Sequence, residues 1–134
     1  MADTFSVSID VAAPLDEVWA VVGDPCGVTR WYSLYTGCGI EGDIRTLERA
    51  DGAVIVERLI DRDDARRTYS YSVVSGLPLR EHYARFTVAK APGGSRVIWG
   101  TRAVHQDDGV DMEARLADRQ REALRGLKRL IEDR

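Results

Sequence analysis

Hydrophobic and polar residues alternate strictly near the start of the chain. In TFSVSIDV, the residues Phe5, Val7, Ile9 and Val11 are separated by single threonine, serine or aspartate residues. A period of two is typical of a strand with one buried face. We therefore predict a first strand whose odd-numbered residues point into the interior.

The next two segments carry the start and stop signals of short helices. In APLDEVWAVVGD, Pro14 suits a first helical position and Gly23 suits the position just beyond the end. In DPCGVTRW, Asp24 is a plausible N-cap, which predicts a second short helix ending near Trp31. The first helix presents one apolar stripe, made of Leu15, Val18, Trp19 and Val22.

The remainder reads as strands and turns followed by one long helix. Five strands are predicted, at residues 40–48, 53–62, 66–74, 79–90 and 95–104. The tail repeats apolar residues at spacings of three and four, namely Leu116, Ala123, Leu124, Leu127, Leu130 and Ile131. This order predicts an α+β fold in which a curved antiparallel β-sheet wraps around a long C-terminal α-helix, with two short helices after the first strand.

The register of the last hairpin follows from its loop. If APGG is a four-residue loop, Phe86 lies opposite Trp99 and His82 lies opposite Ala103. Every apolar residue then meets an apolar or small neighbour across the strands. In this register His82 faces the interior and Tyr83 faces outward.

The same reasoning places two tyrosines on the inner face. A four-residue SGLP loop sets Tyr71 opposite His82 and Tyr69 opposite Ala84. Each buried hydroxyl or ring N–H needs a hydrogen-bond partner. Either Tyr71 and His82 bond to each other in a closed core, or a cavity with water or a ligand supplies the partner.

The register of the 53–62 strand decides the position of Glu57. Two sets of apolar residues compete for the interior, Val54, Val56 and Ile60 against Ile55 and Leu59. Glu57 faces inward only with the second set, where it would be a buried carboxylate with a raised pKa. We expect it to face outward, as an ordinary strand charge.

Composition narrows the class of protein. The chain has 134 residues, a net charge of −3 and a hydrophobic fraction of 44%. That size suits one domain spanning 1–134, a monomer or homodimer. The net negative charge argues against a nucleic-acid partner. The sequence has no apolar run long enough to predict stable membrane insertion. No targeting segment is visible, which predicts a cytoplasmic location.

The sequence carries no motif for a metal or cofactor. Cys26 and Cys38 are expected to be free buried thiols, because two cysteines do not make a disulfide framework. Together with His82 and His105 they match no zinc-ligand spacing. GCGIEG lacks the third glycine of a dinucleotide fingerprint, and no hydrolase nucleophile motif is present. We therefore expect no metal and no cofactor.

Five segments in order resemble the polyketide cyclase/dehydrase-type branch of the START-like (SRPBCC), helix-grip superfamily. They are VAAPLDEVWAVVGD with Trp31 following, GCGIEGDIRTL, RRTYSYSVVSGLPL, GGSRVIWGTR and LKRLI. The resemblance implies a seven-stranded sheet gripping the last helix around a hydrophobic cavity. It implies ten cavity-facing residues, Trp31, Tyr69, Tyr71, His82, Phe86, Trp99, Met112, Leu116, Gln120 and Leu127. The family often has a tyrosine near the start of the fifth strand, and either His82 or Tyr83 takes its place here.

Two functions follow as hypotheses. The first is a module that binds a hydrophobic small molecule, lipid- or polyketide-like, with Tyr71 and His82 orienting a polar group. The alternative is a polyketide aromatase/cyclase or dehydratase. In that case an imidazole with a near-neutral pKa and a phenol would act as acid and base.

Overall fold

The alternating segment forms the first strand, and its odd-numbered residues are indeed inside. A computed structural model describes residues 3–134, and in it Phe5, Val7 and Val11 are all buried. The strands are β1 (Asp3–Val11), β2 (Tyr35–Glu41), β3 (Ile44–Arg49), β4 (Val54–Asp63), β5 (Thr68–Ser75), β6 (Leu79–Ala91) and β7 (Gly94–His105). The helices are α1 (Leu15–Val22), a 3₁₀ turn (Pro25–Gly27), α2 (Val28–Trp31) and α3 (Met112–Glu132).

All seven strands belong to one antiparallel sheet. Their order is β1-β7-β6-β5-β4-β3-β2, so the first strand pairs with the last and β2 forms one edge. Helix α3 packs against this sheet through its apolar stripe, in which Leu124, Leu127 and Ile131 are buried. The predicted α+β helix-grip architecture is therefore confirmed, including the two short helices after β1.

The hairpin of β6 and β7 has the predicted register. Phe86 pairs with Trp99 and His82 with Ala103. Phe86 is 1% exposed, whereas Tyr83, on the opposite face, is 38% exposed. The assumed loop and the apolar pattern together gave the correct alignment of these two strands.

The predicted pairing of β5 with β6 is wrong by two residues. Tyr71 pairs with Ala84, not with His82, and Tyr69 pairs with Phe86. The connection is longer than the four residues SGLP. Because side chains alternate with a period of two, an even shift leaves every residue on its predicted face. Tyr69 and Tyr71 are therefore buried as expected, with different partners.

The single strand predicted at residues 40–48 is in fact a hairpin. Strands β2 and β3 pair with each other, and Glu41 lies directly opposite Ile44. The turn between them needs a residue with a positive φ, and Gly42 supplies it at +62°. The extra strand brings the sheet to the seven strands that the resemblance implied.

The two cysteines are bonded, which corrects the expectation of free thiols. A disulfide joins Cys26 to Cys38, with Cα atoms 5.5 Å apart. Twelve positions separate them along the chain, but the 3₁₀ turn folds back against edge strand β2. The bond thus ties the segment before α2 to the edge of the sheet.

Helix α3 passes close to α2 at a glycine. A Cβ atom on Gly126 would lie within 2.3 Å of the carbonyl oxygen of Trp31. The two backbones can be this close only because the side chain is absent. In the described part of the chain, no helix is long and apolar enough to cross a membrane.

Candidate functional site

A cavity of about 440 Å³ lies between the sheet and the N-terminal half of α3. Its aliphatic and aromatic lining consists of Tyr32, Tyr35, Tyr71, Val73, Leu77, Pro78, Leu79, Trp99, Met112 and Leu116. Its other lining residues are Arg49, Glu57, His82, His105, Arg115, Arg119 and Gln120. The site is thus an apolar chamber with a limited set of polar groups, the usual composition of a small-molecule site.

Six of the ten residues implied by the resemblance line this cavity. They are Tyr71, His82, Trp99, Met112, Leu116 and Gln120.

The other four do not reach it, which corrects their placement. Trp31, Tyr69, Phe86 and Leu127 are between 0% and 5% exposed and belong to the closed core behind the cavity wall. The ring of Phe86 packs 4.6 Å from that of Trp99, centroid to centroid, and 5.9 Å from that of Trp31. They hold the aromatic wall in place from behind.

Glu57 faces inward, contrary to the expectation from the sequence. It lies opposite Arg45 on β3, and Ile55 is buried on the same face of β4. Nε and Nη2 of Arg45 both donate to Oε1 of Glu57, the first at 2.9 Å. Arg45 is 2% exposed and Glu57 4%, so the ion pair is buried. A buried carboxylate of this kind is tolerated because a buried guanidinium pairs with it.

One carboxylate oxygen of Glu57 is left for the cavity. Both bonds from Arg45 go to Oε1, and none of the hydrogen bonds among residues 3–134 reaches Oε2. Burial raises the pKa of Glu57 above its ordinary value, and the Arg45 guanidinium opposes this rise. Glu57 therefore offers the cavity a hydrogen-bond acceptor of enhanced basicity.

Tyr71 bonds to Trp99 and not to His82. Nε1 of Trp99 donates to the Tyr71 hydroxyl oxygen at 3.1 Å. The His82 and Tyr71 rings only pack together, with centroids 5.6 Å apart. Burial raises the pKa of Tyr71 well above its ordinary value, so the phenol keeps its proton. The Tyr71 hydroxyl is thus a donor, oriented by an indole.

His82 uses its acceptor nitrogen within the protein. Beyond Tyr71 the β5–β6 ladder opens, and Nδ1 of His82 accepts the backbone N–H of Val73 at 3.1 Å. The ring hydrogen of neutral His82 must then be on Nε2. Burial lowers the pKa of His82 to about 4, not near neutrality. At neutral pH this side chain is a hydrogen-bond donor with its acceptor nitrogen already engaged.

Gln120 projects from α3 into the cavity. It is 5% exposed, and its Nε2 donates to Oγ1 of Thr101 at 3.1 Å. Its Oε1 is buried and has no hydrogen-bond partner within the described residues. Since more than nine in ten buried polar groups are paired, this oxygen calls for a donor inside the cavity.

Several lining residues were not found from the sequence. Tyr32 and Tyr35 stand where α2 ends and β2 begins, and their rings pack 4.9 Å apart. A signal for Glu57 did exist on the neighbouring strand. Leu47 of β3 is buried, so Arg45, two residues away, must face inward as well and requires an acid. Recognising β3 as a separate strand would have identified that acid as Glu57.

The described residues contain no cluster of three or more histidine, cysteine, aspartate or glutamate side chains that could hold a metal ion. His105, which the sequence singled out, lines the cavity and is 7% exposed. Its Nδ1 accepts the backbone N–H of Asp107 at 2.9 Å. This bond fixes the ring at the end of β7.

Solved structures share this fold across almost their whole length. The protein XoxI from Bacillus cereus superposes with a TM-score of 0.90 at 23% identity, covering 99% of this chain and 97% of that one. The Zhui aromatase/cyclase from Streptomyces sp. R1128 gives 0.85 at 18% identity, with 100% and 96% covered. A START superfamily protein from Mycobacterium smegmatis gives 0.80 at 17%, with 97% of each chain covered.

Sequence comparison gives the family directly. No curated protein matches the sequence significantly. The profile of one family, described as polyketide cyclase / dehydrase and lipid transport, matches residues 2–132. Because the match covers nearly the whole chain, it shows that the chain belongs to that family.

Proposed function

We propose that this protein binds a hydrophobic small molecule, lipid- or polyketide-like, in the cavity between the sheet and α3. The observation that carries the proposal is Oε1 of Gln120, a buried acceptor at an apolar cavity with no donor among the described residues. A closed core would leave this oxygen unpaired, at a cost of about 1–3 kcal/mol. A ligand with a hydrogen-bond donor satisfies it.

The size and lining of the cavity support the same function. A volume of about 440 Å³ falls within the ~300–1,000 Å³ typical of small-molecule sites. Trp99, Met112 and Leu116 would contact the apolar body of the ligand. Tyr71 and His82 would donate hydrogen bonds to its oxygen atoms.

Native mass spectrometry tests the proposal. The protein is analysed as purified and again after addition of a pool of fatty acids, sterols and aromatic polyketides. A retained or captured mass is expected. Leu116→Trp, which fills the cavity, should abolish capture, whereas Leu130→Trp places the same bulk on α3 outside the lining and should not. Capture that survives Leu116→Trp would contradict the proposed site.

A second candidate function is a cyclisation or dehydration of a polyketide. The observation that favours it is the pairing of a free acceptor, Oε2 of Glu57, with a donor, the Tyr71 hydroxyl, on one cavity wall. Arg45 holds them together, since its guanidinium carbon lies 4.8 Å from the centroid of the Tyr71 ring. Glu57 would take a proton next to a carbonyl while Tyr71 bonds the carbonyl oxygen.

Kinetics would distinguish the two functions. If a reaction occurs, Glu57→Gln and Tyr71→Phe should each reduce turnover about a hundredfold or more while leaving affinity within a few fold. His82→Gln should affect turnover much less, because its acceptor nitrogen is engaged by Val73. Equal losses of affinity and turnover in all three variants would indicate binding alone.

We also propose a cytoplasmic location and a monomeric or homodimeric state. The disulfide makes the location testable, because such bonds persist mainly in oxidising compartments. Alkylation of thiols in intact cells followed by mass analysis would show whether Cys26 and Cys38 are bonded there. Complete alkylation of both would place the protein in a reducing compartment.

A further inference from the structure

Two arginines without acidic partners stand at the mouth of the cavity. Arg115 and Arg119 are solvent-exposed residues of α3, and both belong to the cavity lining. Among residues 4–134, whose side chains the structure describes, neither makes an ion pair or a side-chain hydrogen bond. Being four residues apart on a helix, they lie one above the other on the same face.

Most other arginines of the described chain do have an acidic partner. Apart from Arg115 and Arg119, only Arg30 and Arg85 lack one. Every other described arginine has a side-chain nitrogen within 4.0 Å of an aspartate or glutamate oxygen. Elsewhere on α3, Arg121 pairs with Asp118 and Arg125 pairs with Glu122. The unpaired arginines of this helix are thus the two that line the cavity.

The interior of the cavity combines hydrogen-bond donors, on Tyr71 and His82, with acceptors that are unfavourable for an anion. Glu57 and Gln120 each present an unpartnered acceptor oxygen there, and acceptors repel an anion. Arg49 adds a third guanidinium to the lining; its Nη2 donates to Asp51 at 3.0 Å, and its buried Nε has no hydrogen-bond partner among the described residues. A hydrophobic acid could meet both requirements if its neutral, hydrogen-bond-donating end entered the cavity first. That end would reach the interior acceptors, and the anionic group would remain beside the arginines at the mouth.

We infer that the ligand is a hydrophobic acid whose anionic group binds Arg115 and Arg119 at the mouth while its apolar body occupies the cavity. This inference rests on the proposed function, and it names the ligand class and orientation. The anion forms charge-assisted hydrogen bonds with two guanidinium groups, the strongest class of polar contact available at an exposed rim.

Two fluorescent probes separate the charge from the apolar body. 8-Anilinonaphthalene-1-sulfonate and N-phenyl-1-naphthylamine share one ring system and differ only in the sulfonate. Their Kd values are measured on the wild type, on R115Q/R119Q and on R121Q/R125Q. The last variant changes net charge equally on the same helix but away from the cavity. Competition shows whether the two probes share one site.

The Kd of the sulfonate should rise about tenfold in R115Q/R119Q and stay within about twofold in R121Q/R125Q. The Kd of the neutral probe should stay within about twofold in both. Raising salt from about 50 mM to about 0.5 M should weaken sulfonate binding to the wild type most.

The two proposals fail in different ways. If the neutral probe binds and R115Q/R119Q leaves sulfonate affinity unchanged, the anion site is refuted and the hydrophobic cavity stands. Sulfonate binding that does not displace the neutral probe refutes the anion site in the same way. If neither probe binds the wild type, both proposals are refuted.

Discussion

Replacing Arg45 by methionine would expose the energetic role of the buried ion pair. The substitution keeps an unbranched apolar chain but leaves Glu57, only 4% exposed, without its cation. It also removes the donor that Nη1 supplies to the carbonyl oxygen of Pro25 at 2.8 Å. Breaking a buried pair by removing one partner costs about 3–5 kcal/mol, so we expect a loss of this size in the free energy of unfolding near pH 8.

The loss should depend on pH in a defined direction. Burial already raises the pKa of Glu57, and without Arg45 nothing opposes the rise. The pKa of this carboxyl in the unfolded chain is about 4.5, and its pKa in the folded protein is higher. Below pH 4.5 the carboxyl is protonated in both states, so burying it requires no change of protonation. As pH rises through the folded pKa, stability falls, because the folded state must either hold the proton or bury a charge. The difference between Arg45→Met and the wild type should therefore be small near pH 4.5 and full near pH 8.

Urea denaturation at both pH values measures this difference. The double variant R45M/E57L provides the control, since it removes both charges and should lose the pH dependence while recovering much of the stability. The reasoning would be refuted if R45M lost the same free energy at both pH values, or if R45M/E57L were no more stable than R45M near pH 8.

Three further outcomes are expected. Replacing Cys26 and Cys38 by serine should lower the free energy of unfolding by about 3 kcal/mol, from loop closure over a separation of 12 residues. Wild type treated with dithiothreitol should match that variant in urea. Gly126→Ala, normally favourable in a helix by about 1 kcal/mol, should here destabilise by about 1–3 kcal/mol, because the new Cβ would meet the Trp31 carbonyl; a raised melting temperature would contradict this. His82 should stay neutral in an NMR titration down to about pH 5, since its pKa is lowered to about 4. Stability that it contributes at neutral pH is then lost between about pH 6.5 and 4, and His82→Gln should flatten that part of the profile.

The register of a hairpin was predicted correctly where its apolar residues allowed only one alignment of the two strands. For β6 and β7, long strands with Phe86 and Trp99 on one face leave a single register that buries the apolar residues. For β5 and β6, the loop length was the only guide, and Pro78 does not fix it. The faces were still right, because the error was an even number of residues.

Glu57 could not be placed from local pattern alone. Counting apolar residues on β4 favoured the face of Val54 and Ile60, yet these are 48% and 51% exposed. Alternation does hold around Glu57, where Ile55 and Glu57 are buried, but the apolar count alone could not show which of the two faces is inside. The deciding interaction is with Arg45 on a neighbouring strand, and a hairpin had to be recognised first.

The cavity itself follows only from three-dimensional packing. Trp31, Tyr69, Phe86 and Leu127 share the inward pattern of the lining residues, yet they fill space behind the wall. Which inward side chains touch each other and which border a space depends on how α3 crosses the sheet. A hydrophobic period identifies a buried face but carries no measure of the volume enclosed by it.

The close contact at Gly126 also gives α3 a fixed point about which the helix can tilt. Leu124, Leu127 and Ile131 are buried on either side of this contact, while Leu116 lies ten residues from Gly126 toward the cavity end. At 1.5 Å per residue the arm is about 15 Å long. A tilt of about 5° about the glycine would move Leu116 by about 1.3 Å. A tilt of this size would change the width of the cavity by about the size of one methylene group while the contact at Gly126 stays closed.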